Sequence, residues 1–321
     1  MTAEGTGAPI AGAPAAGPSA DDLALPFALQ ELGARGRIVR LGPAVDAILR
    51  RHDYPPPVAA LLGEALALCV ALASSLKYEG IFTLQMRGDG PVRLLVVDLT
   101  SAGALRGYAQ FDAAGVAAMP VESANAVPRL LGRGHMVFTV DQGADTERYQ
   151  GIVALEGASL SDCAHHYFRQ SEQLATGIKL TTGQDNSDHW RAGGLILQAL
   201  PSQELIAETD AEERDERFRT ALVLMGSARE SEMLDPRLPA EQLLWRLFHE
   251  HAPRVFDRRD VADRCRCSRA RIDSVLRSIP RDELDTMRDS RGLVAVRCEF
   301  CGASYDYDDA QLAALDSRNP A

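Results

Sequence analysis

Four cysteines near the C-terminal end constrain this chain more than any other feature: Cys265-Arg266-Cys267 and, after a gap of thirty residues, Cys298-Glu299-Phe300-Cys301. A tetrahedral zinc with Zn–S bonds of about 2.3 Å needs sulfurs roughly 3.8 Å apart. Two close cysteine pairs supply that if a fold brings them together. The C-x-x-C half runs into Gly302, which permits the backbone conformation that closes a knuckle. The C-x-C half is tighter than the usual metal spacing, and its sulfurs are near enough to react with each other once a metal leaves. The same four thiols can therefore hold zinc or form two local disulfides. Iron also accepts four sulfurs, but the chain has no cluster-type cysteine run.

The other two cysteines stand alone. Cys69 lies in an apolar run and reads as a small buried hydrophobe. Cys163 precedes His165 and His166, yet nothing in the sequence orients either histidine as a base for it. In Ser171-Glu172-Gln173-Leu174 no base stands beside Ser171, so a structural role at a helix end is expected. Gly88-Asp89-Gly90-Pro91 is followed by no helix and is not a phosphate loop. The expectation is a protein that is not an enzyme.

With 321 residues, 46% of them hydrophobic, the chain has room for two or three domains and a sizeable core. A net charge of -11 argues against a nucleic-acid-binding surface over the whole molecule. The first twenty residues are rich in Ala, Gly, Pro and Ser, without a basic stretch leading into an apolar one; a disordered tail over 1–21 and a cytoplasmic, reducing setting are expected. There clustered cysteines read as metal ligands before structural disulfides. Residues 58–76 carry one charge, Glu64, but are rich in weakly hydrophobic alanine. A helix buried in a soluble core is predicted rather than a membrane span.

The predicted class is α+β. Residues 22–202 form a core domain with an antiparallel sheet and packed helices. Strand runs at 81–87, 92–99 and 104–111 are separated by turn signals and make a meander; a further pair lies at 135–141 and 148–155, joined through Gln142-Gly143-Ala144-Asp145. A helix follows, starting near Ser159 or Ser161, and a last strand at 195–201 stops at Pro201. Residues 203–250 are a helical linker. Residues 204–250 carry twelve acids and six arginines, and the apolar positions Leu205, Phe218, Leu222 and Met225 make only a thin stripe. Leu243, Leu244, Trp245, Leu247 and Phe248 are a dense apolar cluster expected to anchor the linker onto a neighbouring domain.

Residues 251–310 are the metal domain, and 311–321 a C-terminal tail. Ser268 suits an N-cap for a helix with Ile272, Val275, Leu276 and Ile279 on one face. Pro280 suits the first turn of a second helix, which Gly292 ends. The second cysteine pair makes the turn of a hairpin that continues to Tyr305 and Tyr307.

RCRCSRARIDSVLRS and CEFCGASYDYD, with the C-x-C, thirty-residue, C-x-x-C spacing, resemble the redox-regulated holdase chaperones of the heat-shock protein 33 family. LQMRGDGPVRLLVV, LRGYA, DQGADTERYQGIVALEG, YFRQSEQLAT, GGLILQALP and LLWRLFHE are similar to that family in the same order, so the resemblance spans about residues 23–310. The long N-terminal tail and TTGQDNSDHWR at 181–191 depart from it. The resemblance implies one zinc ion per reduced chain on Cys265, Cys267, Cys298 and Cys301, in an inactive form. It implies that oxidation expels zinc, forms disulfides Cys265–Cys267 and Cys298–Cys301, and unfolds the metal domain and linker. The implied active form is a homodimer that holds unfolded client proteins without ATP and passes them to the heat-shock protein 70 machine.

Magnitudes are compatible with such a switch. A structural zinc contributes about 10–16 kcal/mol of apparent binding free energy, and a domain of about sixty residues has little stability in reserve. Disulfides inside C-x-C and C-x-x-C close tiny loops, so they do not replace the metal as a cross-link between the pairs. Two rival classes are a zinc-ribbon nucleic-acid binder and a thiol oxidoreductase. Residues 254–301 hold twelve arginines against nine acids, only mildly basic. The C-x-x-C is set in a predicted hairpin rather than at a helix start, unlike such oxidoreductases.

Overall fold

The computed structural model describes residues 7–10, 21–120, 125–143, 148–172, 174–201 and 210–316. Most of the expected tail 1–21, the turn positions Ala144 and Asp145, residues 202–209 with Leu205, and the chain after 316 lie outside them. The chain has two compact units, Met1–Asp263 and Arg264–Ala321, and its class is α+β.

In the first unit, an apolar helix Pro56–Ala73 lies between two sheets, and fourteen of its eighteen residues are buried. It is long and apolar enough to cross a membrane by composition alone. Its apolar surface is instead covered by Leu84, Leu95, Val97 and Met136 from one sheet and Val39, Leu41, Ala192 and Ile196 from the other.

The first of these sheets is the expected meander. Strands Ala104–Phe111, Val92–Thr100, Ile81–Gly88, Gly134–Asp141 and Tyr149–Ala154 pair antiparallel in that order, and Ala262–Asp263 adds in parallel at the Ala104 edge. The helix after it runs Leu160–Tyr167, and Ser159 is its cap: its Oγ accepts from Asp162 N at 3.2 Å while Asp162 Oδ2 accepts from Ser159 N.

The second sheet holds most of what the sequence obscures. Its long strands run in the order Leu23–Leu29, Ala34–Leu41, Trp190–Ala199 and Thr176–Gln184, all antiparallel. The last predicted strand begins at Trp190, five residues before 195, and the polar stretch 181–191 is the end of one strand, a turn over residues 185–189 and the start of the next. Asp185 Oδ1 organises that turn, accepting from Ser187 N and His189 N.

This sheet is buried on both faces. Val39 and Ala24 face the central helix, while Leu23, Leu25, Phe27, Leu29, Ile38, Leu195 and Leu197 face the linker. The linker helices are Ala211–Gly226, Glu230–Leu234 and Ala240–Phe248. Phe218, Ala221, Met225, Met233, Leu243, Leu244, Leu247 and Phe248 pack on that second face, with Phe248 stacked on Phe27 at 5.8 Å between centroids. The neighbour of Leu243, Leu244, Leu247 and Phe248 is thus the core sheet itself, whereas Trp245, expected in the same cluster, is half-buried and stacks on His249. Two-residue strands Arg254–Val255 and Arg259–Asp260 pair with Leu23–Leu29, and Ala8–Pro9 pairs with Arg254–Val255. Residues 251–263, which the sequence groups with the cysteines, run within this first unit.

The second unit is small. Helices Arg269–Leu276 and Arg281–Thr286 precede the hairpin Val294–Arg297/Ser304–Tyr307, and a helix Asp309–Asp316 follows. Leu276, Leu284, Val294, Tyr307, Leu312 and Leu315 are its buried apolar residues among those described. Leu312 and Leu315 make the last helix part of this core, where the sequence suggests a tail. Val275 is 56% exposed, off the predicted face, while Ile272 and Ile279 pack beside Leu276.

Candidate metal centre

Each cysteine pair is set by local backbone. After Cys267, Ser268 Oγ accepts from Arg271 N at 3.3 Å and starts the helix Arg269–Leu276. In the hairpin, Cys298 N donates to Ala303 O and Gly302 N to Cys298 O, both at 2.8 Å, with Gly302 at φ +73°. That left-handed residue closes the knuckle without a Cβ penalty. The main-chain N–H groups of Phe300 and Cys301 donate to the Cys298 sulfur, and that of Ala303 to the Cys301 sulfur.

The fold brings all four sulfurs of Cys265, Cys267, Cys298 and Cys301 within 4.8 Å of one another, each half-buried. Cys265 Sγ is 3.7 Å from Cys298 Sγ and Cys267 Sγ is 3.3 Å from Cys301 Sγ. A tetrahedron with bonds of about 2.3 Å has edges of roughly 3.8 Å, so the donor set fits zinc in number, type and spacing. As thiols, Cys298 and Cys301 resist ionisation: burial pushes Cys298 up, and burial with the neighbouring thiols pushes Cys301 up to about 12. A divalent cation reverses that balance, because it binds and stabilises thiolates.

Two aromatic side chains of the hairpin flank the cluster, and cysteine spacing does not predict them. Tyr305 Oη donates to Cys267 Sγ at 3.2 Å. Tyr307 Oη donates to Asp273 Oδ1 at 2.6 Å, and the Arg269 guanidinium lies 4.4 Å from the Tyr307 ring centre. The signal in the sequence is period two: residues 305 and 307 of one strand share a face.

The remaining cysteines are apart from this centre. Cys69 is fully buried in the central helix, its thiol raised well above the usual range by burial and then by Asp98. Cys163 is also fully buried, its thiol pushed up to about 11 by burial and by Asp162. His165 Nε2 accepts from Ile178 N at 3.3 Å, and His166 Nδ1 lies 3.1 Å from Glu156 Oε2. The side chains of Ser171 and Glu172 are outside the described residues.

The family model described as "Hsp33 protein" matches residues 22–308. A "33 kDa chaperonin" of Caulobacter vibrioides is 42% identical over 292 residues, covering 90% of this chain and 95% of that protein. One of Aeromonas salmonicida is 36% identical over 304 residues, covering 94% and 97%. In structure, the chain is similar to the crystal structure of the 33 kDa chaperonin, a heat-shock protein 33 homologue, of Thermotoga maritima: TM-score 0.76, 22% identity, 92% of this chain and 97% of that one. Matched from end to end of the cysteine region and over most of its length, the chain belongs to the Hsp33 family.

Proposed function

We propose that this protein is a molecular chaperone of the holdase type, switched by oxidation of a zinc centre. The observation that carries this reading is the meeting of four cysteine sulfurs within 4.8 Å in a unit with few buried apolar residues among those described. A core that small supplies little stability without a cross-link. Zinc on Cys265, Cys267, Cys298 and Cys301, one ion per reduced chain, supplies it with about 10–16 kcal/mol.

Oxidation removes that support. Two thiolates, one peroxide molecule and two protons give one disulfide and two waters. Each disulfide takes two ligands from the metal. Pairing inside Cys265–Cys267 and Cys298–Cys301 leaves the two halves unlinked, so the unit unfolds. A bridge between the halves, such as Cys265–Cys298, would close a loop worth about 3–4 kcal/mol and lock the fold instead. The within-pair bonds are those that the resemblance to the heat-shock protein 33 family implies, and they leave the unit free to unfold.

Beyond Cys265 the chain leads back through two-residue strand pairings to the linker helix that ends at Phe248. Such short ladders hold few hydrogen bonds and fray easily. Disorder that spreads along them frees the linker, and the apolar sheet face with Phe27 and Leu195 becomes available to unfolded clients. The charged outer side of the linker, with Arg217 paired to Glu213 at 2.5 Å, maintains solubility. The further readings are an oxidised homodimer, onward transfer of clients to the heat-shock protein 70 machine, a cytoplasmic setting, and no nucleic-acid or membrane partner.

Light scattering of a heated client, without nucleotide, tests the proposal. Peroxide-oxidised protein is expected to suppress aggregation and reduced, zinc-loaded protein is not. Equal protection by both forms sinks the redox switch; protection by neither sinks the chaperone reading too.

A further inference from the structure

Cys267 and Tyr305 belong to opposite halves of the metal centre, and their contact at 3.2 Å joins those halves through a hydrogen bond. The two cysteine pairs are held differently. Cys298 and Cys301 receive main-chain N–H donors from their own knuckle, so the hairpin itself fixes them. Cys267 sits outside that hairpin, one residue before the cap of a separate helix, and receives a phenolic hydroxyl from across the centre. Tyr307, on the same face of the strand, holds that helix through Asp273 and the Arg269 guanidinium. Arg269 in turn donates to Asp306 O at 3.1 Å. The strand Ser304–Tyr307 thus carries one side chain aimed at a ligand sulfur and one aimed at the helix behind it.

We propose that Tyr305 is a positioning residue of the zinc centre: its hydroxyl holds the Cys267 sulfur in place and sets how readily zinc is released. The proposal rests on the zinc reading above. A hydroxyl that donates to a metal-bound thiolate draws charge from the sulfur and fixes its direction, as other groups hydrogen-bonded to metal ligands do. Loss of such a partner costs roughly 10–100-fold in metal affinity. A thiolate relieved of its donor is also more electron-rich, so peroxide attacks it faster. The Cys267 thiolate then takes one oxygen from the peroxide and one proton to become sulfenic acid as water departs, and the Cys265 thiolate attacks that sulfur and displaces hydroxide to close the disulfide.

Tyr305→Phe removes the hydroxyl and keeps the ring; Tyr307→Phe removes a hydroxyl from the same strand that donates to a carboxylate. Three readouts are compared in the full-length chain. Zinc affinity, by competition with a chromogenic chelator, is expected to fall roughly 10–100-fold in Tyr305→Phe and much less in Tyr307→Phe. Zinc release under peroxide is expected to quicken in Tyr305→Phe alone. In cobalt-substituted protein the thiolate-to-cobalt charge-transfer band is expected to shift for Tyr305→Phe and stay in place for Tyr307→Phe, which a purely structural role would not produce. Wild-type protein with no bound zinc overturns the zinc reading together with this one. Zinc-loaded wild type with Tyr305→Phe unchanged in affinity, release and spectrum overturns this one alone. Should Tyr305→Phe fail to fold, the cobalt spectrum of Tyr305→His, which retains a donor, decides: a spectrum identical to that of Tyr305→Leu also overturns it.

Discussion

Lys179 Nζ donates to Gly226 O at 3.0 Å, and to Ala228 O at 2.5 Å, where the first linker helix ends. Lys179 lies on the core strand Thr176–Gln184. A lysine there meets carbonyls that the helix leaves unpaired and the negative end of its dipole. The core therefore grips the linker by a charge as well as by the apolar face of Phe218, Ala221 and Met225. The chain has only two lysines, and one of them is used for this.

Lys179→Met keeps the aliphatic stem and removes the donor. The linker's hold on the sheet is expected to weaken by about 1–2 kcal/mol. Hydrogen exchange of the amides in 211–226, in the reduced protein, reads this directly: faster exchange there with the central helix Pro56–Ala73 unchanged. Exchange equal to wild type in both segments would show that the ammonium contributes nothing to docking.

The two kinds of cysteine are expected to separate by reactivity. Chelator-treated, reduced, native protein exposed to a maleimide should label at Cys265, Cys267, Cys298 and Cys301. Cys69 and Cys163 should stay unlabelled until denaturant is added, because both are fully buried and their thiols are raised. Rapid native labelling at Cys163 contradicts its placement inside the helix Leu160–Tyr167.

The cysteine cluster was legible because metal ligation demands particular residues at particular spacing, and the meander 81–111 because turns and alternation mark it. Ala34–Leu41 was not. Arg35, Arg37 and Arg40 give it a polar look, yet Arg37 and Arg40 are buried; Arg40 donates to Asp235 O and lies 3.6 Å from Asp21. Those partners are distant in sequence and no local pattern announces them. Leu23–Leu29 is apolar on both faces, so it shows no alternation to read. For Leu243 to Phe248 the apolar face was visible, but periodicity says which side is buried, not against what. Tyr305 escaped for the same reason: its contact with Cys267 exists only once the hairpin closes.

Phe248 tests whether linker docking restrains activity. It is fully buried and stacked on Phe27. Phe248→Ala is expected to destabilise the docked linker by about 3–5 kcal/mol. Reduced, zinc-loaded Phe248→Ala should then suppress client aggregation without oxidation. Val223→Ala, at a position 69% exposed on the neighbouring helix, should behave as wild type in both stability and scattering. A destabilised but still inactive Phe248→Ala would mean that freeing the linker is not what activates the protein.

Glu64 gives the fold a pH dependence of known sign. It is the charged residue of the central helix, half-buried, and its carboxyl is pushed up to about 7 from 4.5 by burial first and then by Glu230 of the linker. Between pH 4.5 and 7 the folded state therefore holds a proton that the unfolded state has released. Stability contributed by the neutral carboxyl is present below the unfolded value, declines as pH rises through this window, and is lost above about 7. Partial exposure limits the effect to about 1–3 kcal/mol. Glu64→Gln cannot ionise, so at pH 8 it is expected to be more stable than wild type by that amount, with the difference closing toward pH 4. Because Glu230 is exposed on Glu230–Leu234, Glu230→Gln should lower the midpoint of the wild-type decline without abolishing it. Urea unfolding of the three reduced, zinc-loaded proteins from pH 4.5 to 8.5 measures this. Parallel stability curves for wild type and Glu64→Gln would show that Glu64 does not titrate in the folded core.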